Sequence, residues 1–235
     1  QVLGEVLRHR AGADVLVVDD GSTDDTPSRL QAVQGVRVVR HPRNLGYGAA
    51  LMAGFRVAAE EGYDQVVTID CDGQHEPRLL GTFFETLERG WDVVSGSRYL
   101  PGSPVQGQPP ADRVRINRQF TERLNRLTGL GLTDSFCGFK GYRVAALRRL
   151  HLSEPGYGFP LQVWVEAWRH RLSVVELPVP RIYKDNFQRR FGGTLDRPEV
   201  RCRYYEQVLA SALRCPRCAE EALAGCRAAC GGPMP

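Results

Sequence analysis

The chain has 235 residues, 42% of them apolar and 25% charged, and a formal net charge of +4. That length buries one sizeable core with room for a small appendage, and so mild a charge gives no indication of a nucleic-acid partner. No apolar run approaches the roughly 18–20 residues that span a bilayer, and no signal peptide is visible, so the expectation is a cytoplasmic location without a transmembrane anchor.

Residues 1–10 read as a helix. Val15-Leu16-Val17-Val18 is a β-branched strand that stops at Asp19 and Asp20, and Gly21-Ser22-Thr23-Asp24-Asp25-Thr26-Pro27 then carries the Asx, Thr and Pro signals of a helix start. A helix over 26–34, a strand over 36–40 and a helix over 48–61 follow. Asn44-Leu45-Gly46-Tyr47-Gly48 reads either as an ordinary strand-to-helix turn or as a glycine loop that lets a ligand approach the backbone.

The strand over 65–70 is another apolar run, and it ends in Asp70-Cys71-Asp72-Gly73-Gln74-His75. In an open α/β sheet, ligands bind beyond the carboxyl ends of the strands. Asp70 and Asp72 are two apart, so extended backbone points both the same way, and Gln74 continues that face. Two carboxylates and an amide oxygen suit Mg²⁺ or Mn²⁺, above all when a diphosphate fills the other positions. Acids at the ends of two strands repel one another unless a cation or a hydrogen-bonding ligand neutralises them.

Beyond these lie a helix over 77–89, a strand over 92–96 leading into Gly96-Ser97-Arg98-Tyr99, and a Pro/Gly-rich loop over 100–110. A helix over 112–127 sets Ile116, Phe120, Leu124 and Leu127 on one face and Arg115, Arg118 and Arg126 opposite, with Arg113 and Arg123 on the same helix. Its basic face is either a solvated surface or a contact with anionic headgroups. A strand over 174–180 and a helix over 200–213 complete a βα alternation that predicts a doubly wound, mostly parallel α/β sheet. The polar, aromatic stretch from Arg181 to Gly193 reads as a static connection or as a loop that closes over a ligand.

The four segments around Asp19, Asn44, Asp70 and Gly96 stand in the order seen in family-2 glycosyltransferases. From Gln1 to about Pro180 the chain resembles the dolichyl- or polyprenyl-phosphate (dolichol-phosphate mannosyltransferase-like) branch of that family. The resemblance implies the GT-A fold and inverting, metal-dependent transfer of a sugar from a GDP- or UDP-linked donor to a polyprenyl phosphate. It implies that Asp70, Asp72 and Gln74 hold the Mg²⁺ or Mn²⁺, with Asp70, Asp72 and Arg98 at the catalytic centre. Asp20 then reads the base with Asp19 in support, Asp19 reading equally well as a turn residue, and Gly46 admits the nucleotide. Arg98, Arg118 and Lys140 hold the acceptor phosphate, with Asp134 organising that cluster within Asp134-Ser135-Phe136-Cys137-Gly138-Phe139-Lys140. A lipid phosphate also suggests peripheral contact with the cytoplasmic membrane face.

Two departures accompany the resemblance. Relatives usually begin with a strand that lies mid-sheet and helps form the nucleotide pocket, whereas residues 1–7 look like the helix after it, so a first strand is expected to be missing. At 157–162, where relatives commonly carry acids, this chain has Pro160 and Gln162, which weakens a general-base mechanism and leaves a saccharide or other hydroxyl acceptor, or a non-enzymatic relative, as alternatives. The glycosyltransferase domain is expected over 1–213, followed by a tail over 214–235. In that tail Cys215, Cys218, Cys226 and Cys230 have a spacing open to a structural Zn²⁺ site, to free thiols or to redox pairing.

Overall fold

A computed structural model describes residues 1–183 and 191–214. Cys215, Cys218, Cys226 and Cys230, with the zinc expected of them, lie outside the described residues, as does most of the 181–193 stretch.

Helix α1 (Val2–His9) leads into β1 (Val15–Asp19), α2 (Thr26–Gln31), β2 (Val36–Arg40), α3 (Tyr47–Glu60) and β3 (Gln65–Thr68). A 3₁₀ turn at Pro77–Leu79 then opens α4 (Leu80–Glu88), followed by β4 (Val93–Ser97), β5 (Val105–Gln106) and α5 (Ala111–Thr128). The remainder is β6 (Lys140–Arg143), α6 (Val144–Leu147), α7 (Phe159–Arg169), β7 (Val174–Pro178), β8 (Arg181–Ile182) and α8 (Pro198–Leu213).

The strands form a four-stranded sheet in the order β3-β6-β4-β7 and two parallel pairs, β1-β2 and β5-β8. Pairing of β4 with β7 is parallel, but β6 runs antiparallel to both its neighbours, so the central sheet is mixed. Sequence pattern does not signal β6, because Lys-Gly-Tyr-Arg has neither a β-branched residue nor a clean alternation.

Helix α3 packs against both β1 and β3. Val6, Val15, Val67, Ile69 and Phe83 share one apolar cluster beneath the two strands. No ladder joins β1 to β3 among the described residues, and both strands stay half-buried while β4 is buried throughout. The strand expected ahead of β1 has no counterpart among the described residues, and the sheet is divided where that strand was expected to lie.

The larger core joins α3, α5, α7 and α8 through Phe55, Phe120, Trp164 and Leu209. Helix α7 buries Phe159, Leu161, Val163, Trp164, Val165 and Ala167, so it is apolar on nearly every side. That composition hides it from a search for an amphipathic stripe. Trp164 is fully buried and donates from Nε1 to the Ser135 carbonyl at 2.8 Å, which ties α7 to the segment carrying Asp134. Trp164→Ala is expected to destabilise the fold by about 3–5 kcal/mol, read as a lower urea midpoint with unchanged slope.

Candidate active site

The loop after β3 carries the three expected metal ligands, of which Asp70 and Gln74 line the cleft described below and Asp72 is not among its described lining residues. The strand stops at Thr68, so a turn rather than strand alternation sets Asp70 and Asp72. Asp72 Oδ1 accepts the Gln74 N–H at 3.0 Å, and Tyr47 Oη donates to Asp70 Oδ1 at 3.2 Å. A Cβ on Gly138 would lie 2.5 Å from Asp70 Oδ2, so only glycine leaves room for that carboxylate beside β6. Gln74 is buried and its Nε2 donates to the Ile182 carbonyl at 3.1 Å, leaving Oε1 as the amide's oxygen donor. Two carboxylates and one amide oxygen are hard donors that fit Mg²⁺ or Mn²⁺ once diphosphate oxygens complete the shell. Among the described residues no group of three Asp, Glu, His or Cys is poised to hold a metal by itself.

At the end of β1 the two acids do different work. Asp20 Oδ1 meets His41 Nδ1 at 2.7 Å and accepts the Leu45 N–H at 2.9 Å, while Oδ2 accepts the Gly46 N–H at 2.8 Å. Burial alone would raise its pKa, but these hydrogen bonds hold the carboxyl below its usual value. Asp20 therefore clamps the loop that opens α3, where Gly46 has φ of 109° and a Cβ would strike the Pro155 carbonyl. Most of its acceptor capacity is spent inside the protein. Asp19 is 4% exposed, and its Oδ1 accepts the Ser22 N–H at 2.9 Å, the turn role the sequence allowed. The Ser22 side chain first, and then its N–H, hold the Asp19 carboxyl below the usual value against the effect of burial. Asp19 Oδ2 faces Arg40 Nε at 3.3 Å and accepts no hydrogen bond from the described residues.

A cleft opens beside Asp70 and Gln74 and is walled by Arg98, Arg113, Tyr183 and Arg201. Arg98 is locked to the fully buried Asp134, with Nε at 2.6 Å from Oδ2 and Nη2 at 2.9 Å from Oδ1. Burial works against both charges, yet their mutual attraction prevails: Asp134 is brought down to about 2 and Arg98 is held well above its ordinary value. Asn117 Nδ2 adds a donor to Asp134 at 2.7 Å. Glu176 on β7 accepts the Thr133 and Asp134 N–H groups at 2.8 and 3.1 Å, which fixes the turn carrying Asp134.

Arg113 and Arg201 lie 4.9 and 4.6 Å from the ring centre of Phe191, and Arg201 also pairs with Asp112. The sequence placed Arg113 on the basic helix without singling it out, and no motif marked Arg201, a buried cation in an otherwise ordinary helix.

Two expected acceptor residues are elsewhere. Arg118 does not reach the cleft; its side chain is 79% exposed and pairs with Glu122 one turn on. The apolar stripe of α5 is spent on the core through Ile116, Phe120 and Leu124, which leaves Arg115, Arg118 and Arg126 as an exposed basic face. Lys140 lies in β6 between β3 and β4, 3% exposed, with Nζ donating to the Cys137 carbonyl and sitting 5.1 Å from the Trp164 ring. Burial lowers its pKa, and the lysine supports the sheet beneath the site rather than facing the cleft.

The family model for glycosyl transferase family 2 matches residues 3–150. The chain belongs to that family. This family-2 glycosyltransferase is 32% identical over 186 residues to polyprenol monophosphomannose synthase of Mycolicibacterium smegmatis, a match covering 76% of this chain and 70% of the relative. It is 34% identical over 188 residues to undecaprenyl-phosphate mannosyltransferase of Micrococcus luteus, covering 77% and 76%. Among solved structures, it resembles glucosyl-3-phosphoglycerate synthase from Mycobacterium tuberculosis in complex with Mn²⁺, UDP-glucose and phosphoglyceric acid. That likeness has a TM-score of 0.61 and 25% identity, and it covers 84% of this chain and 67% of the other. The fold is accordingly GT-A-like. No helix among the described residues is long and apolar enough to cross a membrane.

Proposed function

We propose that this glycosyltransferase moves a sugar from a nucleoside-diphosphate donor to a polyprenyl phosphate, by a single inverting displacement. One observation carries the reading. Among its described lining residues the cleft gathers Arg98, Arg113 and Arg201, while its one carboxylate is Asp70, already committed to the donor side. A hydroxyl acceptor has a pKa far above neutral and needs a general base. A phosphomonoester is anionic near pH 7, with a second pKa of about 6, and needs cations to steer it. Tyr157 and Pro160 line this cleft and bring no carboxylate to it, so the chemistry of the wall matches an acceptor that is already charged. Of the two relatives compared above, one is named as an undecaprenyl-phosphate mannosyltransferase and the other for the synthesis of polyprenol monophosphomannose.

Asp70, Asp72 and Gln74 hold the divalent ion, which when bound supplies Lewis-acid stabilisation of the leaving diphosphate. Asp19, whose Oδ2 accepts no hydrogen bond from the described residues, accepts from the base, and Asp20 shapes the loop around it. Arg98, fixed in one orientation by Asp134, grips acceptor oxygens bidentately, with Arg113 and Arg201 neutralising the rest. The exposed basic face of α5 draws the chain to anionic headgroups, which keeps the lipid phosphate within reach.

A second reading has its own support, since the Mn²⁺- and UDP-glucose-bound neighbour also holds phosphoglyceric acid, a small phosphorylated acceptor that the same arginines would suit. Transfer assays with GDP- and UDP-sugars decide between the two. Product on polyprenyl phosphate in the presence of Mn²⁺, with none on phosphoglycerate or saccharides, is the expected result. Product on a soluble acceptor alone would overturn the lipid assignment.

A further inference from the structure

His75 sits at the end of the metal loop, buried, and belongs to no step described so far. Its Nδ1 accepts the Asp70 backbone N–H at 3.1 Å. An accepting Nδ1 carries no proton, so the imidazole is neutral with its hydrogen on Nε2. That nitrogen lies 3.9 Å from Asp70 Oδ2, on the side where positive hydrogen density favours the carboxylate. The ring stacks on Phe139 at 5.5 Å and 24°, and Phe139 in turn stacks on Phe83 at 4.1 Å and 10°. A column of three rings therefore runs from the core under α4 to the turn that holds Asp70.

We propose that His75 is the positioning residue of the metal site, holding the Asp70 main chain so that its carboxylate is presented to the cation at the mouth of the cleft. This rests on the reading of Asp70 as a metal ligand. Its physical logic is that of an outer-shell contact: a ligand whose backbone is free to turn spends binding energy on being ordered, and losing such a contact costs about 10–100-fold in metal affinity. Two parts of His75 are separable. The ring face serves the stack, whereas Nδ1 serves Asp70.

The test uses Mn²⁺ itself, titrated into the full chain with UDP and with GDP and followed by the paramagnetic resonance of the free ion, without any sugar transfer. His75→Phe keeps an aromatic face and deletes the acceptor; His75→Asn sets a carbonyl oxygen near the place of Nδ1 and gives up the stack. The positioning role predicts that His75→Phe weakens Mn²⁺ binding about 10–100-fold while His75→Asn binds close to wild type. A merely structural histidine predicts the reverse order, and that result would overturn the proposal. Mn²⁺ binding to wild type with equal affinity in both variants would overturn it as well, leaving the metal site standing. Absence of Mn²⁺ binding to wild type with either nucleotide would instead overturn the metal reading, and this inference with it.

Discussion

Asp134→Asn is expected to destabilise the fold by about 3–5 kcal/mol and to remove most acceptor turnover, because it leaves the largely buried Arg98 guanidinium without its carboxylate partner. Asp134 has no exposed surface, and it accepts two side-chain hydrogen bonds from Arg98, one from the Arg98 N–H and others from Asn117 and the Phe136 N–H. An amide in its place presents one donor edge to a cation that only donates. The pH dependence has a definite sign. The folded-state pKa of about 2 lies below the unfolded value of 3.8, so this stabilisation is complete above pH ~4 and is lost as pH falls from there through about 2. Urea melts should therefore show the full gap between wild type and variant at pH 7 and a closing gap below pH ~4. Replacing both partners, Arg98→Met with Asp134→Leu, separates folding from function. Apolar groups of similar volume recover the part of the loss that comes from the unpaired charge, although the Arg98 N–H, Asn117 Nδ2 and the Phe136 N–H still lose their acceptor, and transfer stays lost because the acceptor grip is gone. A double variant that turned over acceptor normally would remove Arg98 from the site.

The difference between what the sequence disclosed and what it hid follows from the range of the interactions involved. Asp19, Asp70 and Gly46 are legible because strand ends and helix starts are local events, each signalled within a few residues. The Arg98–Asp134 pair is legible only through the order of the motifs, since 36 residues separate its members. Lys140 misleads for the opposite reason. Its neighbours look like a loop near the acceptor, but a short antiparallel strand inserted between β3 and β4 buries the side chain. Arg201 reaches the cleft from α8, which packs on α7, and no local pattern encodes that. Arg118 illustrates how the phase of a helix matters, since five residues at 3.6 per turn leave two side chains about 140° apart. Five positions earlier, Arg113 on the same helix faces the cleft, whereas Arg118 faces solvent.

Asp70→Asn is the substitution expected to lower transfer most, by about 100-fold or more, on the assumption that several kcal/mol of leaving-group stabilisation pass through its carboxylate. Folding should be untouched. The amide has the same shape, its oxygen still accepts from Tyr47 Oη, and the room beside Gly138 remains sufficient. In EDTA the variant should melt at or slightly above wild type, because one negative charge has been taken from a loop that also carries Asp72. Mn²⁺ with GDP or UDP then separates the two proteins. A ligand that binds only the folded state raises the melting temperature in proportion to ln(1 + [L]/Kd), about 2.7 kcal/mol at a hundredfold excess over Kd. Wild type should show that rise with one of the two nucleotides, and Asp70→Asn should not. An equal rise in both proteins would mean the cation is held without Asp70, and the diphosphate would then have to sit on the cation-rich wall of Arg98, Arg113 and Arg201, where donor and acceptor phosphates would compete for the same charges.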